Sequence, residues 1–143
     1  MKQTHGYSGT PLPKKLGIHQ GMRVVTINPP AHYRALLGEL PADVSFTREL
    51  RPDARFIHIF VTKRSILTRE LKRCRSKIAD EGIIWVPWPK KSSGAETDIT
   101  EDTIRDVALP LGLVDTKVCA VDETWSGLKL MVRRENRSKK PRK

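Results

Sequence analysis

The chain has 143 residues, a length that normally makes one domain; 38% are hydrophobic, and they gather into runs that suffice for a single core. The formal net charge is +11, of which the last ten residues, Arg134 to Lys143, supply +5, so phosphate-bearing or acidic partners are favoured, although solubility explains the same charge equally well. Two separated cysteines, Cys74 and Cys119, four singly scattered histidines, a polar Met1–Thr10 segment and no apolar run of spanning length exclude a spaced metal site, a signal peptide and a membrane helix, and lead us to expect a cytoplasmic protein in a reducing compartment.

In chain order, His5 to Leu12 reads as a loop or arm rich in Gly, Ser, Thr and Pro. Pro13 to Leu16 suits one helical turn stopped by Gly17, and Arg23 to Ile27 suits a strand that Asn28-Pro29-Pro30 must end, because two prolines remove two ladder donors. Ala31 to Leu40 places Tyr33, Leu36, Leu37 and Leu40 on one helical face, with Pro41 closing it. Val44 to Phe46 begins a second strand with room to run to Leu50. Phe56 to Val61 is an almost continuous apolar run, as expected of a strand buried on both faces of a parallel sheet. Ser65 is a cap for a helix over Ile66 to Ala79, ended by Gly82, and Ile83 to Trp88 is another buried strand. After a basic loop, Asp98 with Glu101, or Thr100 with Thr103, can cap a helix running to about Leu109. Val114 to Val121 and Leu128 to Arg134 are strands whose short link makes them antiparallel.

Alternation of strands and helices predicts an α/β fold, a single three-layer Rossmann-like domain with a mainly parallel sheet of five to six strands and a C-terminal antiparallel hairpin. The domain is expected over residues 1–134 with an N-terminal arm at 1–12, and residues 135–143 form a basic, disordered tail. The stretch from Thr47 to Arg55 is too short for a crossover helix, so the second strand is either very short or antiparallel to its successor.

The segments GYSGTPL (Gly6 to Leu12), KKLGI (Lys14 to Ile18), GMRV (Gly21 to Val24), VPWPKK (Val86 to Lys91), TDITED (Thr97 to Asp102) and ALPLGLVDTKVCAVDETWSGLKLMVRR (Ala108 to Arg134) resemble a small bacterial family catalogued as domain of unknown function 3052. The resemblance covers nearly the whole chain except the basic tail; it implies a bacterial cytosolic protein and no particular reaction. A second resemblance, carried by KLGIHQGMRVVTINPP and by the closing strand–helix–strand and hairpin, is to the S-adenosylmethionine-dependent methyltransferase fold. In those enzymes the first strand ends in an acidic, glycine-rich turn that lets the backbone close on the cofactor. Here the corresponding residues are Ile27-Asn28-Pro29-Pro30-Ala31, without glycine. The same residues resemble the Asn-Pro-Pro-aromatic motif of amino-methyltransferases, but two residues intervene before Tyr33 and the motif follows the first strand rather than the fourth.

In an open α/β sheet, ligands bind outside the carboxyl ends of the strands. Asn28, Tyr33, Thr62, Lys63, Trp88, Lys90, Lys91 and Asp122 are the candidates at that edge, where an aromatic, ammonium groups and a helix N-terminus can hold a phosphate or a base. A solvated basic loop beside a core tryptophan is the plainer alternative. Asp122-Glu123 and Asp98-Glu101 are close acid pairs, explained by capping and turn formation more simply than by acid–base work. Trp125-Ser126-Gly127 is not a nucleophile elbow, and His58 and Cys119 read as core residues. Arg69, Lys72, Arg73, Arg75 and Lys77 form a basic helix face that, with the tail, can make nonspecific phosphate contacts to nucleic acid.

The expected function is therefore a non-catalytic Rossmann-like domain that binds an anionic or nucleotide-like ligand. A basic accessory protein docking nucleic acid or an acidic protein is the alternative, and a degenerate methyltransferase-like enzyme the third. No catalytic residue, metal site or defined cofactor follows from the sequence, and no membrane contact is expected.

Overall fold

The computed structural model describes residues 11–90, 97–121 and 124–137. Its elements are α1 (Leu12–Leu16), β1 (Arg23–Ile27), α2 (Tyr33–Leu37), β2 (Ser45–Thr47), β3 (Ala54–Ile59), α3 (Arg64–Lys77), β4 (Ile78–Pro89), α4 (Glu101–Ala108), β5 (Leu113–Ala120) and β6 (Trp125–Val132). They make one six-stranded sheet in the order β2-β1-β3-β4-β6-β5. β1, β2, β3 and β4 are parallel, and the β5–β6 hairpin returns antiparallel against β4.

The strand direction left open by the sequence resolves in favour of the short strand. β2 has three residues and runs parallel to β1, so six residues suffice to carry the chain back to the start of β3 without a helix. β3 explains its own apolar run: Ile57 and Ile59 face one side of the sheet and Phe56 the other, all fully buried.

Two cores result. α3 and α4 cover one face with Leu67, Leu71, Cys74, Ile104 and Val107 packed on Val25, Ile57, Ile84 and Leu130. α1 and α2 cover the other, where Leu16, Tyr33 and Leu37 pack on Val24, Phe56, Phe60 and Trp85. This is the expected three-layer arrangement.

Several local expectations need correction. α2 is shorter than Ala31 to Leu40 because Gly38 leaves helical geometry at φ +77°. α3 begins at Arg64, and Ser65 does not cap it: the Arg64 N–H is accepted by the carboxylate of Asp98 at 2.6 Å. α3 ends at Lys77 without a glycine, and β4 starts at once, so Gly82 lies inside a strand. There the β3–β4 register shifts, and a Cβ on Gly82 would stand 2.9 Å from the Ala54 carbonyl oxygen. Trp125-Ser126-Gly127 belongs to β6, not to a turn. Residues 135–137 are not free tail: a 3-10 turn at Arg134–Asn136 follows β6, and Asn136 and Arg137 donate to the carbonyls of Gly112 and Val132. Residues 1–10 of the expected arm and the rest of the tail lie outside the described residues, and Leu12 of that arm already begins α1.

Candidate functional site at the carboxyl edge of the sheet

The parallel strands bring their carboxyl ends to one edge. After β1, Asn28 turns the chain at φ +60°. Its side-chain amide donates to the Phe60 carbonyl at 3.0 Å, and the Phe60 N–H donates to the Ile27 carbonyl at 2.9 Å, which locks the first turn to the end of β3. After β3, the Thr62 carbonyl accepts both the Asp98 N–H at 3.2 Å and the Thr97 hydroxyl at 2.8 Å. The lead into α4 is thereby fixed across the start of α3. After β4, the Lys90 N–H donates to the Thr124 carbonyl at 2.7 Å, closing the edge against β6.

Three recesses run along this edge. The first, about 320 Å³, lies between the ends of β1 and β2 and includes Thr26, Pro30, Arg34, Phe46 and Arg48. The second, about 200 Å³, lies between Asn28, Pro30, Phe60, Thr62 and Trp125. The third, about 390 Å³, is formed by Thr62, Lys63, Thr97 and Asp98. Pro30 is common to the first two and Thr62 to the last two, so the recesses adjoin. Among the described residues, their cations are Arg34, Arg48 and Lys63, and their one carboxylate, Asp98, is already held by the Arg64 N–H. Arg34 lies over the Phe46 ring at 4.4 Å, an arrangement that steadies the guanidinium while leaving its N–H groups to an acceptor.

Asn28, Thr62 and Lys63 come together here, as expected from parallel strands. Tyr33 borders the first recess, but its ring is buried and its hydroxyl hydrogen-bonds to His58 Nδ1 at 2.8 Å. Trp88 is half-buried against the aliphatic core, and Lys90 stands at the same edge but outside the three recesses. Lys91 and Asp122, with Glu123 beside it, lie outside the described residues. Arg34, Arg48, Phe60 and Trp125 were not anticipated. Arg48 had a legible signal: it stands twenty residues past the β1 turn, where a dinucleotide-binding fold places the residue that reads the ribose or its phosphate.

Several of the remaining residues have partners within the fold. Asp98 caps α3, and Glu101 pairs with Arg105, which also reaches Asp115 at 3.0 Å. His58 is fully buried, and desolvation pushes its pKa down to about 3. Both cysteines are free and buried; burial pushes the Cys74 thiol up to about 12 and the Cys119 thiol upward as well. On the basic face of α3, Arg75 donates to the Leu111 carbonyl at 2.9 Å, and Arg69 and Arg73 share the carboxylate of Glu70. Of that set, only Lys72 and Lys77 have no side-chain hydrogen bond or ion pair among the described residues. Among the described residues, no cluster of His, Cys, Asp and Glu could hold a metal ion, and no helix is long and apolar enough to cross a membrane.

These features define a Rossmann-like α/β domain of the methyltransferase-like kind. It is similar in fold to a Sulfolobus solfataricus protein provisionally assigned as a type 11 methyltransferase, with a TM-score of 0.59 at 12% identity over 92% of this chain and 93% of that one. It is also similar to an S-adenosylmethionine-dependent methyltransferase of Aquifex aeolicus, with a TM-score of 0.54 at 18% identity over 83% and 86% of the two chains. A third neighbour is LepI, solved in complex with S-adenosylhomocysteine, with a TM-score of 0.52 at 13% identity over 85% of this chain and 39% of that one. The chain belongs to the family of proteins of unknown function designated DUF3052, whose profile matches residues 62–134. That segment runs from the end of β3 through β6 and includes Thr62, Lys63, Trp88 and Lys90, while the Asn28 turn, Arg34 and Arg48 precede it. No curated protein matches the chain.

The fold raises the question of S-adenosylmethionine, and the residues present do not fit it. The turn after β1 would have to bring backbone N–H groups against the cofactor, but Pro29 and Pro30 have none, and the Asn28 side-chain amide is bonded to Phe60.

Proposed function

We propose that the chain is a binding domain for an anionic, nucleotide-like ligand laid along the carboxyl edge of its sheet, and that it performs no transfer reaction on that ligand. The observation that carries this reading is the row of three adjoining recesses whose walls hold Arg34, Arg48 and Lys63. A phosphate suits the guanidinium pair at the first recess, since a guanidinium fork matches two oxygens at once. A base suits the apolar second recess between Pro30, Phe60 and Trp125. Among the described residues, the carboxylate lining these recesses is spent on a helix cap, which supports binding over acid–base chemistry.

Thermal shift and calorimetry with adenosine diphosphate, adenosine monophosphate and S-adenosylmethionine test the reading at low and moderate salt. A nucleotide at a hundred times its dissociation constant should add about 2.7 kcal/mol of stability. That gain should disappear in the Arg48→Ala/Lys63→Ala double variant and survive removal of residues 138–143. A gain from S-adenosylmethionine alone would revive the methyltransferase-like reading. A gain shared by every polyanion, lost with salt and with the tail, would favour docking to nucleic acid or an acidic protein through Lys72, Lys77 and the tail.

A further inference from the structure

The opposite edge of the sheet contains a second recess, of about 470 Å³, at the amino ends of β1 and β3. Its walls come from the turn before β1 (His19 to Met22), from Arg23 and Val25 of β1, and from Asp53, Ala54 and Arg55 where β3 begins. The topology explains why it is open. β2 returns to β3 through residues 48–53 without a helix, and from that connection Leu50 packs on the aliphatic core. The start of β1 is thus left with thin cover on the face that α3 and α4 close elsewhere.

Arg23 is the unusual group in this recess. Its Nη2 is shielded from solvent and has no hydrogen-bond partner among the described residues. The nearby carboxylates are paired with other arginines: Asp53 lies 3.7 Å from Arg55, and Glu49 lies 3.0 Å from Arg51 and attracts Arg23 only through space, without a hydrogen bond to it among the described residues. Both of those pairs are exposed. An arginine stays charged under all ordinary conditions, and a shielded guanidinium nitrogen whose N–H groups lack an acceptor is unfavourable. Such a group is tolerated when a counter-charge completes it.

We propose that this recess is a binding site for an oxyanion, a phosphate or carboxylate group of a small molecule, held by the Arg23 guanidinium with Arg55 at its rim. It is separate from the carboxyl edge and does not depend on the function proposed there. The guanidinium presents parallel N–H donors that two oxygens of either group satisfy together. The volume exceeds that of an isolated ion and falls in the range of small-ligand sites, so the anion is carried on a larger body.

The test uses the full chain and two probes, inorganic phosphate and acetate. The Arg23 Nε–Hε resonance, assigned from its loss in Arg23→Gln, should shift saturably in the wild-type protein with at least one of them; which one responds identifies the oxyanion. Thermal stabilisation by that probe should vanish in Arg23→Gln and Arg23→Met and persist in the Arg48→Ala/Lys63→Ala double variant. Arg23→Met should also be more stable than the wild type without added anion. If neither probe moves the Arg23 resonance, or if stabilisation is unchanged in Arg23→Gln, the proposal is overturned. Because the resonance is read in the wild-type chain and can be assigned from its loss in Arg23→Gln or in Arg23→Met, failure of one variant to fold leaves the test intact. Nucleotide binding lost with Arg48 and Lys63 while Arg23 stays silent would overturn this site and leave the carboxyl-edge reading standing.

Discussion

The two faces of the sheet are held in different ways. The face under α3 and α4 is aliphatic, built from Val, Ile and Leu side chains that need only to exclude water. The face under α1 and α2 is aromatic and polar at its centre. Tyr33 meets the Phe46, Phe60 and His58 rings edge-on at centroid distances of 5.4 to 5.8 Å, and its hydroxyl bonds to His58. Trp85, fully buried, donates to the Leu16 carbonyl at 2.8 Å. The covering helices explain the contrast. α3 has fourteen residues and contributes a long apolar stripe, while α1 and α2 have five each and offer few side chains. Helices that short are marginal unless tertiary contacts hold them, and two directed hydrogen bonds tie them down here.

The largest expected effect separates the faces directly. Trp85→Ala should destabilise the fold by about 4 kcal/mol, through a large cavity and a Leu16 carbonyl left without its donor. Leu71→Ala, on the aliphatic face, should cost about 3 kcal/mol from its cavity alone. Urea denaturation measures both. An equal or larger loss at Leu71 would break the contrast. Proteolysis near Leu16, increased in Trp85→Ala and not in Leu71→Ala, would sharpen it.

The next effect is a pH dependence that belongs to the polar face. Burial holds the folded pKa of His58 at about 3, against about 6.5 in the unfolded chain. Between those values the unfolded state binds a proton that the folded state refuses, so stability falls as pH falls through this window and is unaffected by His58 above it. By pH 4.5 the loss from this one residue is about 3 kcal/mol. In His58→Phe the unfolding midpoint should depend less on pH over the same range, by that amount. Tyr33→Phe should keep the acid sensitivity and add a pH-independent loss of about 1 kcal/mol, because it deletes the Tyr33 hydroxyl bonded to His58. An unchanged acid slope in His58→Phe would remove the polar centre as the cause.

The same contrast marks what could be read from the sequence. Apolar runs announce strands buried on both sides, so β3, most of β4 and the three-layer arrangement were legible, and so was the carboxyl edge with Asn28, Thr62 and Lys63. What escaped was long-range or one residue wide. The cap of α3 comes from Asp98, 34 residues away, and no local pattern reveals it. In β5, two residues oppose one across the hairpin between Asp115 and Lys117, a bulge that sends Leu113 to the aliphatic core and Cys119 to the aromatic one. Simple alternation would have put both on one face. Gly82 looked like a helix stop because glycine is common there, but here it serves a close approach of strands.

That close approach gives the next smaller effect. A Cβ on Gly82 would lie 2.6 Å from Ile78 Cδ1 and 2.9 Å from the Ala54 carbonyl oxygen. The isoleucine tip can move, but the backbone oxygen cannot without disturbing the register of β3 and β4. Gly82→Ala should therefore cost about 2 kcal/mol in urea denaturation. A neutral result would mean that the aliphatic face gives way at its end as readily as an exposed loop, against the tight packing inferred for it.

The smallest effect tests whether α4 needs a directed bond as α1 and α2 do. The Thr100 hydroxyl accepts the Thr103 N–H at 3.2 Å and so satisfies one of the free donors at the start of the helix. Thr100→Ala should cost about 1 kcal/mol at every pH, and Thr100→Asn should restore most of it, since asparagine caps as well. α4 also buries Ile104, Val107 and Ala108 in the aliphatic core, so the helix should remain in place when its cap is lost. Amide exchange should speed up in its first turn alone. If the whole of α4 exchanged faster in Thr100→Ala, the aliphatic face would depend on directed bonds as much as the polar one, and the difference between the two faces would reduce to the identity of their side chains.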